Sequence, residues 1–259
     1  MKGSCNSPLY YIIYTNDMQT TNDNTHIIKF ADDTAIIGLI HDDTDTQRYN
    51  DCINYVHNYC NESFLSLNVN KTKEMYFYWK NHIANPQPVK LGGKNVEIVN
   101  TFCYLGLTLD NKLTFSEHVK ICCKTANSRL ALLRKLRKEN INSKVLYIFY
   151  NSNVLSVVTF GLTIFFGHLN LKDSNSLKRI VNRARKIINI EIPSLDCVYR
   201  KLVKKKANKI VKYSNHPLHH KYAVLPSGRR YRSIRCNSVK YSKAFLPTSI
   251  KLLNSWGNK

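Results

Sequence analysis

The sequence predicts an α+β fold followed by a helical bundle and a basic, irregular tail. Three observations carry that reading. Short apolar runs separated by turn residues fill the first 112 positions, the apolar period becomes helical from Thr114, and the charge changes sign at the same place. Residues 1–112 hold 9 Lys/Arg against 12 Asp/Glu, whereas residues 113–259 hold 30 against 5. The net +22 of the chain therefore comes from its back, which marks that part as a surface for polyanions.

The stretch that organises the front is Lys29-Phe30-Ala31-Asp32-Asp33-Thr34. Apolar runs at 27–31 and 35–38 flank the two acids, and a two-residue gap between strands predicts a tight hairpin with Asp32 and Asp33 at its tip. Such turns favour Gly or Asn, and adjacent like charges repel. Carboxylates kept there point to a hard divalent cation bound by oxygen, with Asp32 and Asp33 as the metal ligands. A solvated acidic turn is the alternative. Further along, 41–45 reads as an acidic turn, and Thr46 opens an amphipathic helix with Tyr49, Ile53, Val56 and Cys60 on one face. Leu65 with Leu67, then Met75, Phe77 and Trp79, alternate as a strand pair. Asn85-Pro86-Gln87-Pro88 and Gly92-Gly93 mark turns, and 96–99 with 102–109 reads as another hairpin.

Behind Thr114 the pattern is helical. Thr114-Phe115-Ser116-Glu117 has the form of a capping box, followed by an apolar stripe of Val119, Cys122, Ala126, Leu130 and Leu133. A mostly apolar second helix covers 143–166. A third, 174–190, turns Leu177, Val181, Ala184 and Ile188 inward; Pro193 stops it, and Ser194 caps a fourth that runs to about 212. The remainder, 214–259, is rich in Arg, Tyr and Pro and is expected to be irregular.

Eight cysteines show no C-x2-C spacing, so no zinc ribbon or knuckle is expected, and His216, His219 and His220 lack companion ligands. The first five residues lack the apolar core of a signal peptide, and the apolar window 154–166 is too short to span a bilayer. These features predict a soluble, intracellular protein of the nucleus or cytoplasm, neither secreted nor membrane-bound.

Phe30-Ala31-Asp32-Asp33, then Leu67-Asn68-Val69-Asn70-Lys71-Thr72-Lys73, then Phe102-Cys103-Tyr104-Leu105-Gly106, in that order and spacing, resemble the palm of reverse transcriptases. The likeness is closest to non-LTR (LINE-type) retrotransposons. Leu225-Pro226-Ser227-Gly228-Arg229-Arg230-Tyr231-Arg232 and Phe245-Leu246-Pro247 look like the same elements, so the resemblance covers nearly the whole chain but only the C-terminal part of the family's polymerase. It implies a partial palm over 1–112, a helical thumb over 113–213 and a basic tail over 214–259. It also implies RNA-directed DNA synthesis from dNTPs on an RNA template/DNA primer duplex, with Mg2+ or Mn2+ as cofactor. Asp32 and Asp33 would then be catalytic metal ligands. Lys71, with Lys73 beside it, would stabilise the leaving pyrophosphate, and Phe102, Tyr104, Leu105 and Gly106 would form the primer grip.

The segment 7–17 resembles the helix behind the family's substrate-facing glycine loop, with Gly3 as a remnant of that loop. The fingers and the first palm strand with its catalytic Asp have no counterpart, and Asp17, at a helix end fifteen residues before Asp32, does not replace that acid. The expectation is an impaired polymerase; the alternative is a non-catalytic nucleic-acid-binding remnant. The segment 119–138 also resembles a short stretch of AlkB-homologue repair proteins, but no jelly-roll pattern accompanies it, so no oxygenase activity follows.

The nucleic-acid reading rests on the basic helices. Arg179, Arg183, Arg185 and Lys186, then Arg200, Lys201, Lys204, Lys205, Lys206 and Lys209, are candidate phosphate contacts. Arg229, Arg230, Arg232 and Arg235 interleave with Tyr231, a pattern suited to single-stranded or structured RNA. A solvated face is the alternative for any one run.

Overall fold

The computed structural model describes residues 6–20, 22–78 and 87–255. The expectations placed on Gly3, Trp79 and the Asn85-Pro86 turn lie outside the described residues. The chain divides into two compact units, Met1–Asn100 and Thr101–Lys259.

The first unit is organised by one helix. It begins with α1 (Ser7–Tyr14), β1 (Thr25–Phe30) and β2 (Asp33–Gly38), continues with α2 (Asp43–Glu62), and ends in β3 (Lys73–Glu74), β4 (Lys90–Leu91), β5 (Lys94–Asn95) and β6 (Glu97–Ile98). The expected apolar face of α2 is the one that packs: Ile53, Val56 and Cys60 are buried against Met18, Val89, Leu91 and Val96, with Ile27 and Ile36 of the β1–β2 hairpin beside them. The helix starts earlier than Thr46 because the Asp42 carboxylate accepts the Asp45 N–H at 2.8 Å. Asp43 and Asp45 then lie in the first turn, where negative charge suits the helix dipole. Lys29 donates its ammonium to the Thr15 and Met18 carbonyls, and the Tyr59 hydroxyl donates to the Tyr14 carbonyl at 3.1 Å, so the end of α1 is tied to both β1 and α2.

The antiparallel sheet expected here does not form as one sheet. Four two-stranded sheets are present among the described residues, and β3 pairs with β6 in parallel. The strand expected from Met75 onward stops at Glu74. The buried Glu74 side chain, rather than a neighbouring strand, takes the Val89 N–H at 3.1 Å and the Tyr76 hydroxyl at 2.8 Å. The Gly92-Gly93 turn does form, joining β4 to β5 with both glycines at positive φ.

The second unit opens with a hairpin, β7 (Thr101–Tyr104) and β8 (Leu107–Asp110), rather than the hairpin expected between 96–99 and 102–109. Leu105 and Gly106 form its turn, at φ 48° and 80°. Two positive values in a two-residue loop match the right-handed twist of the flanking strands. Four long stretches follow: α3 (Ser116–Lys138); a composite of α4 (Ser143–Phe149), a π-turn (Tyr150–Leu155), α5 (Ser156–Thr159) and α6 (Leu162–Phe165); α7 (Leu171–Ile188); and α8 (Leu195–Lys212). The predicted stripes on α3 and α7 are all buried and meet Leu146, Val158, Leu162 and Phe165 of the composite helix. The helices α3 and α7 run parallel, because the Ser116 hydroxyl donates to Asp173 at their N-termini and Arg183 donates to Asn127 at 3.0 Å further along.

The second predicted helix breaks where a continuous one was expected. Phe160 is extended and Gly161 has φ +65°. A Cβ on Gly161 would lie 2.5 Å from Leu107 Cδ2, so the break is the seat into which the β7–β8 hairpin packs. Ser143–His168 is long and apolar enough to cross a membrane by length and composition. The break, and the burial of its apolar side chains against α3 and α7, give it the character of a core helix instead.

The expected capping box at Thr114 is not what starts α3. Asp110 does that work, accepting the N–H groups of Lys112 (3.1 Å), Thr114 (3.0 Å) and Phe115 (2.7 Å) and the Thr114 hydroxyl (3.1 Å). Glu117 pairs instead with Lys120. Burial pushes the Asp110 pKa up, but the hydrogen bonds from Thr114 and Phe115 outweigh it and hold the carboxyl below its ordinary value. A carboxylate whose folded pKa is depressed stabilises the fold above its ordinary pKa and loses that contribution as pH falls through the folded value. Urea unfolding of Asp110→Ala at neutral pH is expected to show a loss of about 1–3 kcal/mol. The difference from wild type is expected to shrink below about pH 4.

The tail is more regular than expected. It contains α9 (Val239–Ser242) and α10 (Phe245–Asn254), and α10 packs on α8 around Ala207, Ile210, Tyr222 and Ile250. Leu246, Ile250 and Leu253 recur at helical spacing, a signal masked in the sequence by Pro247. That proline sits in the first turn of α10, where its missing N–H costs nothing.

Candidate active site and nucleic-acid interface

The register of β1 and β2 places the acidic pair one residue away from the expected position. Phe30 pairs with Asp33, so the two-residue turn is Ala31-Asp32 and Asp33 opens β2. Ala31 has φ +53°. A positive φ at the first turn position is normally taken by glycine, and on an alanine it costs about 1–2 kcal/mol. The surrounding structure supports this strained tip through Lys29, whose ammonium is fixed to the Thr15 and Met18 carbonyls. Asp32 and Asp33 are both exposed. Asp32 lies near α1: Tyr11 has a raised pKa, first through burial, then through the charges of Cys60 and Asp32.

Among the described residues no group of three or more His, Cys, Asp or Glu is arranged to share a metal. Asp32 and Asp33 are hard oxygen donors of the kind that suit Mg2+. Two carboxylates fit a single Mg2+ completed by phosphate oxygens and water rather than a protein-only cage for two ions. Lys71 sits in a turn closed by Asn68, whose Oδ1 accepts the Lys71 N–H at 3.1 Å and whose carbonyl accepts the Thr72 N–H at 3.1 Å. The Lys71 side chain is exposed, whereas Lys73 pairs with Glu97 across β3–β6. Of the two lysines, Lys71 is the one presented to solvent.

Phe102, Tyr104, Leu105 and Gly106 all lie on the β7–β8 hairpin of the second unit, whereas Asp32, Asp33 and Lys71 belong to the first. Phe102 and Leu105 are exposed at the hairpin. Gly106 is positioned against Phe160, where an added Cβ would come within 3.1 Å of the ring. The Tyr104 hydroxyl is buried without a hydrogen-bond partner.

The basic side chains divide by helix face. Arg179, Arg183 and Lys186 recur at four- and three-residue steps and form one exposed face of α7. Arg185, which the sequence groups with them, is structural: its guanidinium donates to the Ile192 carbonyl at 2.9 Å and lies 3.8 Å from Glu191. On α8, Tyr199, Val203, Ala207 and Ile210 face inward, which leaves Lys201, Lys205 and Lys212 on the outer side, Arg200 and Lys204 on one flank and Lys209 on the other. Lys206 instead lies over the Phe245 ring at 5.3 Å, so part of its charge is spent holding α10. Sequence reasoning missed Lys124 and Asn127 on α3. The parallel α3–α7 pairing brings Asn127 to Arg183 and puts Lys124 one turn away on the same seam. Their position opposite the apolar stripe of α3 was the available signal.

The profile of the family described as reverse transcriptase (RNA-dependent DNA polymerase) matches residues 2–109. The chain is 26% identical over 208 residues to the probable RNA-directed DNA polymerase from transposon BS of Drosophila melanogaster, covering 76% of this chain and 22% of that protein. It is 25% identical over 202 residues to the RNA-directed DNA polymerase from the mobile element jockey of the same organism, covering 69% and 21%. The chain thus spans about a fifth of the length of the curated relatives it matches. No solved structure matches it at a significant level. Residues 2–109, with the Asp32 hairpin among them, belong to the reverse transcriptase family, and the relatives identify its LINE-type branch.

Proposed function

We propose that this chain is the rear of a reverse-transcriptase palm joined to a duplex-holding helical thumb, from a lineage whose activity is RNA-directed DNA synthesis. The observation that carries the reading is the family match over residues 2–109, which spans the strained hairpin that presents Asp32 and Asp33. In this reading Asp32 and Asp33 bind Mg2+ or Mn2+ together with the phosphates of a dNTP. A bound cation would neutralise charge on those phosphates. Lys71 offers an ammonium to the leaving pyrophosphate, and a cation at that point stabilises charge that develops only as the bond breaks. The hairpin of Phe102, Tyr104, Leu105 and Gly106 supports the primer end. The faces of α7 and α8 hold the phosphates of the template/primer duplex, a contact that fixes position without reading sequence. The same reading assigns the protein to the nucleus or cytoplasm.

Two carboxylates, without a third among the described residues, favour weak cation binding and little synthesis. Primer extension on a primed RNA template with dNTPs and Mg2+ tests this. The expected result is trace extension or none by the chain alone. Robust synthesis that disappears in Asp32→Ala would preserve the residue roles but overturn the impairment; robust synthesis that survives Asp32→Ala would overturn the roles themselves. The same shortage of carboxylates favours a second reading, a nucleic-acid-binding remnant without catalysis, in which binding is sequence-blind and indifferent to Asp32.

A further inference from the structure

The arginine-rich segment near the end of the second unit is an ordered hairpin. Val224 and Tyr231 form an antiparallel bridge, the Leu225 N–H donates to the Arg230 carbonyl at 2.8 Å, and the Arg232 N–H donates to the Ala223 carbonyl at 2.7 Å. The Gly228 N–H closes the tip on the Leu225 carbonyl at 2.8 Å, with Gly228 at φ +69°.

Tyr231, expected as a stacking platform between cations, faces the other way. It packs beside the Ile210–Ile250 core, edge-to-face with Tyr222 at 6.1 Å between ring centroids. Side chains alternate along a strand, so Arg230 and Arg232 turn outward while Tyr231 turns in, and Arg229 sits at the tip; all three arginines are exposed.

Asn254, the last residue of α10, holds this arrangement. Its Oδ1 accepts the Tyr231 N–H at 2.8 Å and its Nδ2 donates to the Tyr231 carbonyl at 2.9 Å, the pair of bonds that a neighbouring strand would supply. No Asp or Glu follows Asp196 in the sequence, so the tail itself brings no carboxylate to this face.

We infer that the hairpin is a preformed clamp for the sugar-phosphate backbone of paired nucleic acid, and that Asn254 is its positioning residue. The inference rests on the nucleic-acid reading above and deepens it by naming the substrate class. Proteins that hold single strands combine cations with aromatic faces on which bases stack. Here the aromatic is turned into the core, which leaves guanidiniums alone. Phosphates displayed along a duplex, whose bases stack on one another, are what such a surface can hold. Arg230 and Arg232, two positions apart on one strand, are separated by about 7 Å of backbone, a spacing commensurate with successive phosphates.

Fluorescence anisotropy of the full chain with a labelled RNA/DNA hybrid, and with the matching single-stranded RNA, across a salt series tests the clamp. The combined Arg229→Gln, Arg230→Gln, Arg232→Gln variant is expected to weaken hybrid binding and lower its salt slope by about 2–3, since each phosphate no longer neutralised accounts for about 0.9. Single-strand binding is expected to change less. Asn254→Ala is expected to lower the hybrid slope in the same direction, at a temperature where circular dichroism shows α10 folded; a merely structural role would leave that slope unchanged. Tyr231→Phe is expected to leave both affinities unchanged. The clamp is overturned if the triple variant leaves the hybrid slope intact, or weakens single-strand binding more than hybrid binding, or if folded Asn254→Ala keeps the wild-type slope. If Lys201→Gln, Lys205→Gln, Lys212→Gln weakens hybrid binding while the hairpin variant does not, the clamp fails and the broader reading stands. If the wild type does not bind the hybrid at low salt, both fail.

Discussion

Replacing Arg179, Arg183 and Lys186 on α7 and Lys201, Lys205 and Lys212 on α8 with glutamine is expected to remove nearly all the salt dependence of duplex binding. These six side chains project from the exposed sides of two helices whose other faces are buried. Each cation that neutralises a phosphate releases counterion, and the affinity of a protein making six such contacts falls about a thousandfold between about 50 and 200 mM salt. Wild type is therefore expected to bind tightly at low salt and weakly at high salt, while the six-fold variant binds weakly at both and with a nearly flat slope. Anisotropy titrations against duplexes of unrelated sequence measure this directly, and wild type should not distinguish between those sequences, because phosphate contacts carry no base information.

Leu130→Ala is expected to be the most damaging single change to stability. Leu130 is fully buried at the centre of the α3 stripe, in the cluster that joins α3 to the composite helix and α7. Truncation removes its transfer free energy and leaves a cavity that close-packed neighbours fill only in part, a loss of about 3–5 kcal/mol. In a unit of this size that lowers Tm by about 6–20 °C. Thermal melting followed in the far ultraviolet would show it, and Ile12→Ala, on the exposed side of α1, is expected to shift the same curve by under about 0.5 kcal/mol.

The helical half of the fold was legible because apolar periodicity is read over many residues. The α3 stripe from Val119 to Leu133 and the α7 stripe from Leu177 to Ile188 appear in the sequence as they pack. What periodicity does not carry is competition among nearby polar groups. Thr114 has the pattern of a capping residue, yet Asp110 reaches the same N–H groups first. Glu74 ends a strand because its own carboxylate serves the backbone that a neighbouring strand would have served. The break at Gly161 was hidden inside an apolar run, since it exists to admit Leu107 from a distant hairpin.

The same limits apply to the functional residues. The importance of Asp32 and Asp33 was visible from their placement between two apolar runs, but the one-residue register that puts strain on Ala31 was not. Arg185 and Tyr231 read as ligand-facing in the chain. Arg185 serves a buried carbonyl and Tyr231 a buried ring, because each lies on the inward side of its own element.

The most direct test of the central claim is an electron paramagnetic resonance titration of Mn2+ with the full chain bound to a primed RNA template and a complementary dNTP. Wild type is expected to take up a single Mn2+ per chain that appears only when the dNTP is present, and Asp32→Asn with Asp33→Asn is expected to abolish that uptake while duplex binding persists. Equal Mn2+ uptake by the double variant would contradict the account, because the hairpin tip would then have no part in holding the cation.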